Sequence, residues 1–111
     1  MEQLIEMAKR LGSRIVAHER TTLLRKSQKQ VNDDTKALEL IEAYQHQALK
    51  IHQLEEQQKP IEVEDKRKLQ DLEQQIGTDA KLAELTRRQA DFVEMMHKVK
   101  AAIDEQLKLE D

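Results

Sequence analysis

This 111-residue sequence has no cysteine, only two glycines and only one proline. Because tight turns and strand connections depend on glycine and proline, their scarcity favours long helices joined by short corners. The absence of cysteine excludes disulfides, thiolate nucleophiles and cysteine-held zinc or iron–sulfur clusters within the chain. The sequence therefore leaves little irregular backbone, on which catalytic residues are usually carried.

Aromatic residues and long apolar runs are also rare. The sequence has one Phe, one Tyr and no Trp, while charged residues make up 37% and apolar residues 38%. This composition is typical of long amphipathic helices with an aliphatic core. No apolar run approaches the roughly twenty residues of a membrane span. Residues 1–4 lack the basic start and apolar centre of a signal peptide, so we expect a cytoplasmic protein without a membrane segment.

Apolar residues recur at helical spacing in successive segments. The segment around residues 18–22 has no strong stop signal, so residues 2–31 form either one helix or two, the second capped by Thr21 or Thr22. A polar boundary follows at Asn32-Asp33-Asp34. For a single domain spanning residues 1–111, we predict helices at 2–17, 20–31, 34–58, 62–76 and 79–110.

The three backbone breakers have different predicted roles. Pro60 ends the third helix, because the residue before a proline is disfavoured in the helical region. Gly77 follows the last apolar residue of the fourth helix, where a C′ glycine is expected. Gly12 lies inside the apolar stripe of the first helix, and we expect another helix to approach closely there.

The last helix has the strongest pattern, with apolar residues at heptad a and d spacing over about three and a half repeats. A helix over 79–110 would be about 48 Å long, whereas a compact domain of this size is roughly 34 Å across. We therefore expect a second chain to cover part of it. Gln89 and Gln106 either set the register of that contact or lie at its solvent-exposed edge. The predicted seam for packing and oligomerisation consists of Leu82, Leu85, Phe92, Met96, Val99 and Ile103.

Few residues resemble a catalytic or metal site. Glu94-x-x-His97 has the spacing used by di-iron helical bundles, but it occurs once, and both residues point outward in the heptad register. The sequence has no Gly-rich phosphate loop and no arrangement typical of a Ser/His/Asp triad. We predict a protein that is not an enzyme and has no metal and no cofactor.

Positive charge is concentrated near the N-terminus. Residues 1–32 have seven basic and three acidic side chains, a balance of +4, whereas residues 33–111 have twelve and nineteen, a balance of −7. The basic face is interpreted as solvated surface, as a contact for an acidic protein partner, or as a phosphate contact. Nucleic acid is disfavoured because the segment has no aromatic residue for stacking. The candidate basic contact face consists of Arg10, Arg14, Arg25, Lys26 and Lys29.

Several motifs together resemble the YlbF/YmcA family of small bacterial proteins, which includes the YheA-type proteins. They are Ala8-x-x-Leu11-Gly12-x-x-Ile15, Leu40-Ile41-x-x-Tyr44, the corner Glu56-Gln57-Gln58-Lys59-Pro60-Ile61, and the final helix with Phe92 and Met95-Met96. The resemblance covers nearly the whole chain and is greatest to the cysteine-free branch.

This resemblance implies an all-α antiparallel bundle of four to five helices that dimerises or assembles further. It also implies a non-catalytic regulatory or adaptor role in a protein complex. Some relatives influence competence, sporulation and biofilm development and modulate an mRNA-processing endoribonuclease. Certain members hold an iron–sulfur cluster through cysteines, which this chain lacks, so that cofactor is not carried over. The alternative function is an RNA-associated accessory protein that uses the basic N-terminal face.

Overall fold

The described part of the chain forms five α-helices. The computed structural model describes residues 1–108, and this part of the chain has no strand. The predicted all-α bundle class is confirmed, whereas the dimeric state stays a prediction. The last predicted helix was to reach residue 110, but residues 109–111 lie outside the described part. The helices are α1 Glu2–Ala17, α2 Glu19–Asn32, α3 Thr35–Glu56, α4 Val63–Thr78 and α5 Ala80–Leu107.

Residues 2–31 form two helices that are separated at His18. His18 is extended, with φ −68° and ψ 147°, and its Nδ1 accepts a hydrogen bond of 3.0 Å from the Arg20 backbone N–H. The expectation that Thr21 or Thr22 caps α2 is wrong. Both threonines lie inside its first turns, where their hydroxyls donate to the carbonyls of Ile15 and His18 respectively. The histidine ring therefore performs the capping role that Ser, Thr, Asp or Asn usually performs.

Asp34 separates α2 from α3. Its carboxylate accepts a hydrogen bond of 3.1 Å from the Ala37 N–H, which satisfies one of the free donors at the start of α3. The Lys81 ammonium lies 3.2 Å from the other carboxylate oxygen. The Ala37 N–H and then Lys81 are the main causes that lower the pKa of Asp34. The carboxylate therefore stays ionised at neutral pH and stabilises the helix terminus.

The α3–α4 corner is closed by a Schellman motif without glycine. Gln58 has φ 56°, in the left-handed region. The Lys59 N–H donates to the Leu54 carbonyl at 2.9 Å, and the Gln58 N–H donates to the Glu55 carbonyl at 3.1 Å. Pro60 follows directly and prevents the helix from continuing.

Gly77 does not end α4, so its predicted role as a C′ residue is wrong. The helix continues through Gly77 to Thr78, and Gly77 has no positive φ. Asp79 is the boundary residue instead. Its N–H donates to the carbonyls of Gln75 and Ile76, while its carboxylate accepts a hydrogen bond of 3.0 Å from the Leu82 N–H. One aspartate thus ends α4 and caps α5.

The chain divides into two compact units. The terminal unit comprises Met1–Gln28 and Leu85–Asp111, and the central unit comprises Lys29–Glu84. The prediction of a single domain stays a prediction. The buried apolar residues of the central unit are Val31, Ala37, Leu72 and Leu82. The buried residues of the terminal unit are Thr21, Leu24 and Ser27.

A buried amide joins α3 to α4 in the central unit. The Gln47 side chain is 1% exposed, and its Nε2 donates to the Asp65 backbone carbonyl at 2.9 Å. The Lys50 ammonium lies 2.9 Å from the Asp65 carboxylate. The hydrogen bond from Lys50 to Asp65 lowers the pKa of Asp65 and raises the pKa of Lys50. The two helices are therefore fixed by polar contacts of defined geometry as well as by apolar packing.

Candidate interaction surface

The apolar face of α1 is not covered by the rest of the terminal unit. None of the residues of α1 is buried, although its sequence has a clear amphipathic pattern. Leu4 and Met7 are each 65% exposed, and Leu11, at 38%, is the least exposed of the large apolar residues near the middle of the helix. Ile15, next to the α1–α2 corner, is half-buried. An apolar helix face of this kind ordinarily packs against another element.

Gly12 lies within this exposed face. A Cβ added there would meet no atom of the described residues within 4 Å. The described part of the chain therefore does not make the expected close approach, and an approach by a helix of another chain stays a prediction.

The predicted seam on α5 is covered at one end and exposed at the other. Leu82 is buried, whereas Ile103 is 47% exposed and Leu107, further along the same face, is 67% exposed. The predicted margin residues Gln89 and Gln106 are both exposed. The half-buried seam residues between the two ends are Leu85, Phe92, Met96 and Val99.

The uncovered apolar surface is the name used below for the exposed large apolar side chains of these two elements taken together. They are Leu4, Ile5, Met7, Leu11 and Val16 of α1 and Ile103 and Leu107 of α5. Exposed large apolar side chains in the described part of the central unit are limited to Leu49 and Val63. Ile103 belongs to the seam predicted from the sequence, whereas the exposed α1 residues were not among the predicted contact residues. Their amphipathic spacing was visible, but spacing alone does not show whether a helix face is covered within the chain.

Ion pairs surround the middle of α5 in the terminal unit. The Arg20 guanidinium donates to the Asp91 carbonyl at 2.9 Å and lies 3.6 Å from the Glu94 carboxylate. Lys98 is 3.0 Å from the same carboxylate. The hydrogen bond from Lys98, with the charges of Lys98 and Arg20, lowers the pKa of Glu94. This network joins the start of α2 to α5 and uses Arg20 structurally.

The pair Glu94 and His97 has no geometry suited to metal binding. Both residues are exposed, and Glu94 already lies between two cations that would repel a metal ion. Within residues 1–108, no group of three or more His, Asp or Glu side chains is placed to hold a metal. In the same range, no helix is long and apolar enough to cross a membrane.

The candidate basic contact face is accessible to solvent. All five of its side chains are exposed, namely Arg10, Arg14, Arg25, Lys26 and Lys29. Neither aromatic residue lies near them in the sequence, because Tyr44 is on α3 and Phe92 is on α5, and both are half-buried. The face therefore presents charge without stacking surfaces, and its function stays a prediction.

The described residues thus define an all-helical protein with exposed apolar helix faces, which is typical of proteins that bind other proteins. A family model described as "Control of competence regulator ComK, YlbF/YmcA" matches residues 4–108. The chain belongs to the YlbF/YmcA family. No curated protein matches the sequence significantly.

Two solved structures have the same fold. The chain is similar to Bacillus subtilis RicA, from an X-ray crystal structure of RicA in complex with RicF, with a TM-score of 0.80 at 19% identity over 96% of this chain and 97% of that chain. It is also similar to a protein of unknown function (DUF964) from Bacillus stearothermophilus, with a TM-score of 0.75 at 19% identity over 95% and 92% of the two chains. Likeness at this identity establishes the fold.

Proposed function

We propose that this chain is a non-catalytic, cytoplasmic regulatory adaptor that acts through contacts between helix faces, as an oligomer and in complex with a protein partner. The single observation that carries this proposal is the uncovered apolar surface of the terminal unit. Exposed apolar patches rimmed by charged residues mark interaction sites on proteins. Two comparisons support the proposal, because the family is described by its control of a competence regulator and RicA was crystallised with RicF.

The polar contacts of the chain also favour an interaction role over catalysis. The short contacts of Asp34, Asp65 and Glu94 each satisfy a helix terminus or a lysine. Each of these contacts lowers the pKa of the carboxyl group involved, so that group stays charged at neutral pH. A general acid or base needs a pKa nearer the working pH. These carboxylates therefore stabilise the fold and are poorly suited to proton transfer.

Quantitative affinity capture tests the adaptor role. The tagged protein is expressed in its native organism at normal level, and co-purifying proteins are compared with those captured by Ile103→Glu and by Leu49→Glu. Ile103 is part of the uncovered apolar surface, whereas Leu49 is a comparably exposed residue of the central unit. We expect a specific protein to be enriched by the unmodified chain and by Leu49→Glu but lost with Ile103→Glu.

The captured protein is then purified and mixed with the chain, so that direct binding is measured by calorimetry. Failure of every enriched protein to bind directly would reject the adaptor role. Equal enrichment by all three forms would show that contacts elsewhere recruit the partner, and would remove the observation on which the proposal rests.

A second candidate function is RNA association, which is favoured by the exposure of all five residues of the basic face. Binding of this kind weakens steeply with salt, because each neutralised phosphate releases counterions. Fluorescence anisotropy with a labelled single-stranded RNA, compared between about 50 and 200 mM salt, measures it directly. The charge-reversed variants Arg25→Glu and Lys29→Glu should bind more weakly. Absence of binding at the lower salt concentration excludes this function.

A further inference from the structure

The break between α1 and α2 is not required by the backbone. Residues 13–59 contain no glycine and no proline. Ala17 and Glu19, which flank His18, are good helix formers. One continuous helix through both segments is therefore a competing arrangement that this sequence can adopt without steric conflict, and side-chain contacts at the corner must favour the broken arrangement that is observed.

The ring of His18 makes the first of these contacts. Its Nδ1 lies 3.0 Å from the Arg20 backbone nitrogen and accepts a hydrogen bond from it. An imidazole nitrogen accepts a hydrogen bond only when it carries no proton, so this contact belongs to the neutral ring with its hydrogen on Nε2. In a continuous helix the Arg20 N–H would instead donate to the Val16 carbonyl, four residues earlier. The two arrangements thus satisfy the same donor in different ways, and only the broken one needs the ring.

A second contact shows that the chain bends at this corner. The Thr21 hydroxyl donates to the Ile15 carbonyl, and Thr21 is 5% exposed. Residues six apart are separated by about 9 Å along the axis of a straight helix, so this bond is lost if α1 and α2 become continuous. Of these two corner contacts, the His18 cap is the one that a proton removes.

The helix α1 is held less firmly than α2 within the described part of the terminal unit. None of the residues of α1 is buried, so a change in its direction removes no buried side chain from its neighbours. Arg20, at the start of α2, is instead anchored to α5 through the Asp91 carbonyl and the Glu94 carboxylate. The corner is therefore the point at which α1 can change direction while α2 stays attached to α5.

The charges around the ring do not favour a positive His18. Those within four residues of it along the chain, or beside it on α5, are Arg14, Glu19, Arg20, Glu94 and Lys98. Three of the five are cations, and Glu94 is shared between Arg20 and Lys98. A charged ring would also lie at the N-terminus of α2, where the helix dipole disfavours a cation. In a continuous helix there is no terminus at this position, so the last of these costs disappears.

We propose that His18 makes the α1–α2 corner a pH-sensitive device, in which protonation of the ring removes the cap of α2 and shifts the chain from the broken towards the continuous helix. Histidine is the side chain that ordinarily changes charge between about pH 5 and 8. Because the cap needs the neutral ring, the broken arrangement is favoured at the upper end of this range and loses its cap as the pH falls. Loss of one cap should raise the ratio of continuous to broken chains about two- to thirty-fold.

This inference goes beyond the proposed adaptor function and does not depend on it. It concerns the direction of α1, which contributes five of the seven side chains of the uncovered apolar surface. The corner would thus make the presentation of that apolar face depend on pH.

Nitrogen-15 NMR of the imidazole rings in the full chain tests the contact itself. We expect the neutral His18 ring to carry its hydrogen on Nε2, and the Arg20 amide resonance to move together with protonation of that ring. The Ala37 amide is the internal control, because its acceptor is the Asp34 carboxylate. That hydrogen bond lowers the pKa of Asp34, so the carboxylate stays charged from pH 8 to pH 5 and the Ala37 amide should not follow the histidine titration. A neutral His18 ring with its hydrogen on Nδ1 would overturn the inference.

Distances between spin labels measure the arrangement of the two helices. Glu6→Cys and Gln28→Cys provide exposed labelling sites on α1 and α2 of a chain that has no cysteine of its own. In a continuous helix the two backbone positions are about 33 Å apart, and the bend makes the separation shorter. The labelled protein is diluted with excess unlabelled protein, so that only distances within one chain contribute. We expect the shorter separation at pH 8 and, at pH 5, a two- to thirty-fold rise in the ratio of the longer to the shorter.

Substitutions of His18 in the labelled protein distinguish the proton from the cap. Asparagine caps helices and does not titrate in this range, so His18→Asn should keep the shorter separation at both pH values. Alanine caps poorly and is the best helix former, so His18→Ala should show the longer separation at both. His46→Asn, at an exposed histidine of α3, is the matched control and should respond to pH as the unmodified chain does.

Three outcomes would overturn the inference. The first is a distance distribution of the unmodified chain that is the same at pH 8 and pH 5. The second is a pH response that persists in His18→Asn, because it would then belong to another group. The third is a broad distribution at pH 5, which would mean that α1 becomes disordered and does not continue into α2. None of these measurements involves a partner protein, so their failure would leave the adaptor function untouched.

Discussion

Amphipathic sequences form both the α3–α4 hairpin of the central unit and the helix α1 of the terminal unit. The two regions differ in how their apolar faces are covered. The hairpin covers itself, with Ala37 and Leu72 buried and Gln47 fixing α3 to the start of α4. α1 buries none of its residues. Amphipathic spacing therefore predicts that a face needs cover, and it does not predict which chain provides that cover.

The two units also differ in charge. The described part of the terminal unit has eleven basic and seven acidic side chains, a balance of +4, and the central unit has eight and thirteen, a balance of −5. The uncovered apolar surface thus lies in the basic unit. A partner surface of acidic character would be attracted to this unit, with an association rate that falls as salt is added.

The largest expected difference between the two regions is the effect of removing a leucine. Leu72→Ala leaves a cavity in the central unit and should lower the free energy of unfolding by about 2–4 kcal/mol. Leu4→Ala, measured where the protein is monomeric, should change it by less than about 0.5 kcal/mol, because the side chain is 65% exposed. Urea denaturation followed by circular dichroism measures both values. Equal losses for the two variants would mean that α1 is covered within its own chain.

The buried amide gives an intermediate effect. Gln47→Ala removes the donor to the Asp65 carbonyl and leaves a cavity in place of a side chain that is 1% exposed, so we expect a loss of about 1–3 kcal/mol in the free energy of unfolding. Gln45→Ala is the matched control on the same helix, because Gln45 is exposed, and it should be nearly neutral. If both glutamine variants have the stability of the unmodified protein, the α3–α4 contact depends on apolar packing alone.

The smallest effect is expected at the corner between α3 and α4. Gln58 has φ 56°, a conformation that disfavours residues with a Cβ. Gln58→Gly should therefore raise the free energy of unfolding by about 0.5–1 kcal/mol. Gln57→Gly serves as the comparison, because Gln57 has φ −83° and gains nothing from glycine, so it should be neutral or destabilising. A stabilising Gln57→Gly would contradict the proposed cause.

The helical architecture was largely predictable because the signals for it are local. Apolar spacing identifies each helix, and Asp34 is a usual type of capping residue. The errors concern residues in unusual roles. His18 caps a helix through its ring, Gln58 adopts the left-handed conformation expected of glycine, and Gly77 continues a helix that it was expected to end.

The candidate surface was only partly predictable. The α5 seam was predicted from its heptads, and its role in oligomerisation stays a prediction. The boundary between its covered and exposed parts, near Val99, depends on which other segments of the chain lie beside it. The lack of cover on α1 depends on tertiary packing for the same reason. Gly12 was correctly placed inside a helix, yet no described residue lies close beside it.

The α3–α4 corner has a further consequence for the order of folding. The helices that it joins are adjacent in sequence, and local contacts of this kind form fast, because little loop entropy is lost before they are made. The central hairpin should form in a unimolecular step whose rate is independent of protein concentration. In the proposed oligomer, the uncovered apolar surface gains its cover only when two chains meet, so this step is a second-order process. Refolding should then have two kinetic phases, of which only the slower accelerates with concentration.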